Sequence, residues 1–300
     1  MDDVTNMTMP VLKPANPVVS ILDESLFTGE SKQYKIYCTA DPGFLSIAAV
    51  DTSKNRFTGF EGYHFDKLLT EDQLANKISG LTQQSSILKK VDFRNVSVLL
   101  GSNRFTFIPS ALFKEDDAKD FFEFNQKSIE NETIHFDRLR GFDVVNVFGV
   151  PASLRAAFTN LFENFSVHHQ LSAVMEAARL HTSKQSSAPL FIHLHSSTMD
   201  IVVLNERKLV FANSFSFKTV DDAIYFVMMV CEQLVLNPEK TDVVVSGEIE
   251  TDSSFARQLI KFLPQLYFAE RTRTASFTYG FDNLPGHFYN SAFSHLLCES

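Results

Sequence analysis

Hydrophobic and polar positions fall into two similar series along the chain. From Pro189 to Phe217 three runs rich in β-branched and aromatic residues, Leu190 to His195, Ile201 to Leu204 and Leu209 to Phe215, are punctuated by Ser196-Ser197-Thr198 and Asn205-Glu206-Arg207. That pattern predicts three consecutive antiparallel strands. An earlier series has the same build: Tyr34 to Thr39 and Leu45 to Asp51 lie around Ala40-Asp41-Pro42-Gly43, and Arg56 to Phe65 follows the turn Thr52-Ser53-Lys54-Asn55. A helix is expected at Glu71 to Gln84, with Thr70 as N-cap and Glu71 and Asp72 favourably placed in its first turn. Strands at Val96 to Leu100 and Arg104 to Ile108, a helix at Lys114 to Asn125, and strands at Thr133 to Leu139 and Val144 to Phe148 come next.

The middle of the chain reads as two helices. Pro151 suits a first helical position and Leu154, Phe158, Leu161 and Phe162 mark one face, which predicts a helix over 151–163. A second is predicted from Val167 to Leu180, and in it His168 and His169 point to different faces without an identifiable partner. The Ser/Lys/Gln-rich segment His181 to Ser187 is the expected domain boundary. Beyond the three strands, Thr219 caps a helix whose body, AIYFVMMVC, is apolar nearly all round and is expected to be buried on most sides. A strand at Asp242 to Ser246, a helix at Ser253 to Leu263, short strands at Gln265 to Phe268 and Ala275 to Tyr279, and a last helix from His287 to Leu297 complete the reading. The order strand-strand-strand-helix-strand-helix thus occurs twice. It predicts a loose tail over 1–17, a first α/β domain with connecting helices over 18–187, and a second over 188–300 whose final helix packs back on the first.

Composition narrows the classes. A chain of 300 residues with 44% apolar content is long enough for a full core. A net charge of -9 opposes nonspecific nucleic-acid binding, which needs clustered Lys and Arg. Its most apolar stretch, Ala223 to Cys231, is about half of what a membrane span needs. The beginning, MDDVTNMTMP, is acidic and polar where a signal peptide is basic and then apolar, so a cytoplasmic protein is expected. Cys38, Cys231 and Cys298 are odd in number and form no CxxC pair, which predicts core thiols rather than disulfides or a zinc finger.

The run VVNVFGVPASLRAAFTNLF, the segment VHHQLSAVMEAARL and FIHLHSSTMDIVVLNERKLVFANS resemble the middle of actin-like ATPase-fold proteins, especially their bacterial pilus-assembly and cell-division branch. Over residues 33–299 the chain is similar to an uncharacterised bacterial family of that fold whose members also end in a Cys-Glu pair, here Cys298-Glu299. The resemblance implies a duplicated, ribonuclease H-like α/β fold, two domains with mixed sheets flanking a cleft. It also implies ATP and Mg in that cleft, held by two glycine-containing hairpins and a Gly-Gly turn.

Carried onto this sequence, the first Asp-x-Gly tip falls on Asp41-Pro42-Gly43, followed by the bulky Phe44 and Leu45. The second falls on His193-Leu194-His195, which lacks the acid and the glycine, although Ser196, Ser197, Thr198 and Asp200 follow. The Gly-Gly turn falls on Gly247-Glu248. Asp41, Gly43, Ser196, Ser197, Thr198 and Gly247 are therefore the candidate nucleotide residues, and no catalytic residue is assigned because no base or water-orienting group can be placed. The expected function is a non-catalytic scaffold or adaptor that binds a protein partner, with neither nucleotide nor metal as a working cofactor. The alternative is an ATP-binding switch, and any enzyme activity would be ATPase. A third reading, a metal enzyme using His193 and His195, lacks a third ligand. The string Asp23 to Ser31 is similar to the actuator loop of P-type pumps, but the phosphorylated motif and the membrane helices of those pumps are not in this sequence.

Overall fold

A computed structural model describes residues 16–28, 34–91, 93, 95–127, 129–181 and 189–299. Most of the expected N-terminal tail, the end of the pump-like string from residue 29, and nearly all of the expected boundary segment lie outside the described residues. The strands are β1 (Val19–Leu22), β2 (Tyr34–Asp41), β3 (Phe44–Asp51), β4 (Arg56–His64), β5 (Asn95–Leu100), β6 (Phe105–Pro109), β7 (Glu132–Leu139), β8 (Val144–Pro151), β9 (Phe165–His169), β10 (Leu190–Leu194), β11 (Thr198–Asn205), β12 (Lys208–Ser216), β13 (Val243–Gly247), β14 (Leu266–Phe268) and β15 (Ser276–Phe277). The helices are α1 (Ser25–Thr28), α2 (Glu71–Ser79), α3 (Leu81–Gln84), α4 (Ser86–Lys90), α5 (Ala118–Asn125), α6 (Ala152–Leu161), α7 (Gln170–His181), α8 (Val220–Gln233), α9 (Ser254–Phe262) and α10 (Asn290–Ser294).

Two sheets repeat one strand order. In the first, β4-β3-β2 form an antiparallel triplet and β5 and β9 add parallel to β2. In the second, β12-β11-β10 form the triplet and β13 and β14 add parallel to β10. The antiparallel connections are short: Pro42-Gly43 joins β2 to β3, and Glu206 and Arg207, with φ of 48° and 68°, join β11 to β12 in the mirror-image backbone that follows strand twist. β1 and β15 extend the first sheet along β4. The duplicated α/β arrangement expected from sequence is therefore present.

Core formation explains the layers. One face of the first sheet packs on Leu74 and Ile78 of α2, Leu154 and Phe158 of α6, and Leu171 and Val174 of α7. The other is covered by an aromatic cluster in which Phe57 and Phe60 of β4 meet Phe281, Tyr289 and Phe293 from the last part of the chain. α8 and α9 bury one face of the second sheet through Val227, Val230 and Leu259. Its other face, with Val202 and Leu204 of β11, joins the core that holds α7. α7 is consequently buried from Gln170 to Ala178, including the polar Gln170, Ser172 and Glu176. Among the described residues no helix is long and apolar enough to cross a membrane.

Several expectations are corrected. Phe165–His169 is the strand β9, with Val98 opposite Val167, and the helix begins only at Gln170, because alternating Phe165 and Val167 satisfy a sheet position that a helix there would leave empty. Pro151 ends β8 and stands before the first helical residue, Ala152. Gly80 interrupts the predicted 71–84 helix and separates α2 from α3. The strands at residues 105–151, to which no sheet was assigned from sequence, form a sheet of their own, β6-β8-β7, with Phe122 of α5 packed on Val145 and Val147. α8 is buried along one side only, since it covers a single sheet face and leaves Tyr225 at 63% exposure.

Candidate functional site

The two hairpin tips meet where the sheets adjoin. Asp41 closes β2, and its Oδ1 accepts a hydrogen bond from Gly43 N at 2.8 Å, a local bond that fixes the Pro42-Gly43 turn. Ser196 packs directly on that turn: a β-carbon on Gly43 would stand 2.5 Å from Ser196 Cβ. Glycine is needed there because the opposing tip occupies the space. Gly247 is required for a different reason. Its φ is 101°, and a β-carbon would approach the Leu194 backbone N to 2.8 Å, where β13 runs beside β10.

Histidines and carboxylates are bonded to one another beneath these tips. His193 and His195 share one side of the strand, their rings 4.5 Å apart. His193 Nδ1 lies 2.7 Å from Ser246 Oγ. His195 Nε2 lies 2.9 Å from Asp200 Oδ2, and its Nδ1 lies 2.9 Å from Gln170 Nε2. The other oxygen of Asp200 accepts from Ser214 Oγ. Across the cleft, Glu248 Oε2 is 3.0 Å from His64 Nδ1, whose far nitrogen is 3.3 Å from the Tyr289 hydroxyl.

Burial sets the charge states. Burial, reinforced by neighbouring His195, pushes the His193 imidazole down to about 3, so it is neutral. Burial also opposes charge on His195, but the Asp200 carboxylate and its hydrogen bond, then Asp41 and Glu248, outweigh it and raise the imidazole. Asp200 is lowered for the reciprocal reason: burial opposes its ionisation and His195 overcomes that. Asp41 is raised by burial against the opposing pull of His195. Burial and then the Asp41 charge push Glu248 up to about 8, and burial holds His64 down, so at neutral pH the Glu248 carboxyl keeps its proton and donates it to His64 Nδ1.

Little space remains between these groups. A cavity of about 90 Å³ is lined by Asp41, Gly101, His169, Gln170, Thr198 and Asp200 among others, and an adjoining one of about 10 Å³ by Asp41, Ser196, Gly247 and Glu248 among others. The structure thus gathers Asp41, Gly43, Ser196, Thr198 and Gly247 at one place. Ser197 is not in either wall; its carbonyl accepts from Phe217 N at 2.9 Å. Among the described residues neither wall contains Lys or Arg. Among the described residues no group of three or more His, Cys, Asp or Glu is placed to hold a metal ion.

The family described as protein of unknown function (DUF3822) matches residues 23–266. The chain belongs to the DUF3822 family. No curated protein matches it. A solved structure from Bacteroides thetaiotaomicron, a protein with actin-like ATPase fold and unknown function, is similar at 24% identity and a TM-score of 0.70, covering 81% of this chain and 93% of that one. A PilM-PilN type IV pilus biogenesis complex contains a chain similar at 13% identity and a TM-score of 0.55, covering 88% of this chain and 97% of that one. These likenesses establish the fold: this DUF3822 protein has the actin-like ATPase fold.

Sequence reasoning missed part of the DUF3822 site. Gln170 was hidden inside a predicted helix; in fact it is the first residue of α7, with its amide between His195 and Ser291. The histidines at 168 and 169 do have a partner, contrary to expectation: Asp137 of β7 takes His168 Nδ1 at 2.8 Å and the His169 backbone N at 2.8 Å. Both contacts arise because His168 and His169 end a strand. Glu248 carried one usable signal, a carboxylate next to the expected glycine turn.

Proposed function

We propose that this DUF3822 protein is a non-catalytic scaffold or adaptor, in the cytoplasm, that uses the actin-like frame to bind a protein partner. The observation that carries this reading is the internal use of the groups at the hairpin tips. Asp41 bonds its own turn, both Asp200 oxygens are taken by His195 and Ser214, and both ring nitrogens of His195 are bonded. Small-molecule sites usually offer about 300 Å³ or more, and the larger tip cavity is about 90 Å³. A triphosphate would also meet the acids Asp41 and Asp200, with no Lys or Arg among the described residues of the walls to balance its charge. The residues present do not fit Mg-ATP in this arrangement. Support for a protein partner comes from the similar fold in a PilM-PilN complex.

Calorimetry and thermal shift with ATP, ADP and GTP, each with Mg²⁺, test the reading. The expected result is no binding and no turnover. Mg-dependent ATP hydrolysis lost in Asp41→Asn or Thr198→Ala would overturn it, and saturable nucleotide binding without hydrolysis would replace it with the switch.

A further inference from the structure

The opposite end of α7 borders a cavity of about 410 Å³, walled by the last turn of that helix, by residues 270–274 after β14 and by Ser294 of α10. This volume lies in the range of sites that enclose small molecules, roughly 300–1,000 Å³. Its charge sets it apart. Among the described residues, the cavities at the hairpin tips, at the start of α2 and beside α8 have no Lys or Arg in their walls, whereas this one has Arg271 and Arg273. In a chain of net charge -9, that is a local reversal of sign.

Arg271 is held in place before any ligand arrives. Its Nη2 donates to the carbonyl of Phe281 at 2.8 Å and to that of Leu284, and its guanidinium lies 5.0 Å from the centre of the Phe277 ring. A guanidinium fixed in this way loses little freedom when it binds an anion. Thr272 and Thr274 add paired hydroxyls, 2.8 Å apart, to the same wall. Glu270 pairs with Arg273, and the carbonyl end of α7 also faces this region, so the net positive charge is small. That balance suits one or two negative charges and disfavours a polyphosphate.

We propose that this cavity is a binding site for a small organic anion, a carboxylate or a phosphate monoester, oriented by Arg271 and by the hydroxyls of Thr272 and Thr274. The site is separate from the hairpin tips, and the proposal is independent of whether nucleotide binds there.

Titration calorimetry and thermal shift with succinate, glycerol phosphate and ATP test it on the full chain. Succinate or glycerol phosphate is expected to bind with a dissociation constant of about 1 mM or tighter, and ATP more weakly than either. Which of the two binds more tightly separates a carboxylate site from a phosphate site. Thr272→Val with Arg273→Ala is expected to leave the ligand-free melting temperature within a degree or two and to weaken binding about tenfold or more, since one lost charge-assisted hydrogen bond is worth that much. Arg271→Lys, which keeps the charge but loses the fork, is expected to weaken it similarly. No saturable binding of either small anion up to about 10 mM, or binding unchanged in both variants, overturns the proposal.

Discussion

The two sheets share a strand order and reach burial by different routes. Every inner residue of β4 in the first sheet is buried, because residues from the far end of the chain bring Phe281, Tyr289 and Phe293 onto its outer face. β12, the counterpart of β4 in the second triplet, is an edge strand with no such cover and is exposed or half-exposed throughout, whereas β4 is also flanked by β1 and β15. The tips differ in the same spirit. The first keeps an acid and a glycine, Asp41 and Gly43, while the second replaces both with imidazoles and recovers a carboxylate, Asp200, from the neighbouring strand. One topology therefore fixes where side chains converge, and the side chains decide what that convergence does.

Removing the borrowed cover gives the largest expected effect. Phe293→Ala deletes a fully buried ring that touches Phe57, Phe60 and Phe281. It should cost about 3–5 kcal/mol in denaturant unfolding. An equivalent truncation on β12, Phe211→Ala, should cost visibly less; equal losses would erase the contrast between the sheets.

A smaller change concerns the second tip. Asp200→Asn leaves His195 without its charge partner in a buried setting. It should cost about 3 kcal/mol and lower the His195 imidazole pKa, read from its ring-proton NMR titration. An unshifted titration would show that Asp200 does not control this imidazole.

The smallest change per pH unit is expected at the Glu248–His64 contact. Unfolded Glu248 ionises at its ordinary value, whereas in the fold its pKa is pushed up to about 8. Between those values the folded state holds the extra proton, so this group makes stability fall as pH rises, by on the order of 1 kcal/mol per pH unit. Glu248→Gln should flatten that slope between about pH 5 and 8, measured by urea unfolding across the range.

Much of the fold was legible because β-branched runs were separated by turn residues, and a short hairpin leaves the same signature in both halves. β9 escaped because its strand passes into α7 without a gap, so Val167, His168 and His169 blended with helical spacing. The separate β6-β8-β7 sheet was equally hidden, since strand pattern does not reveal which sheet a strand joins. At the site, the Asp41-Pro42-Gly43 tip and Gly247 could be located by likeness to the fold. The bonds that spend these groups were not legible: Gln170, His195 and Asp200 come from three elements, and only the folded chain brings them into one network.

α7 has one more consequence. Twelve residues of helix, gripped on nearly all sides, form a stiff rod of about 18 Å. Gln170 at one end touches His195, and His181 at the other lines the arginine-bearing cavity. One rigid helix thus supplies part of the wall of both cavities.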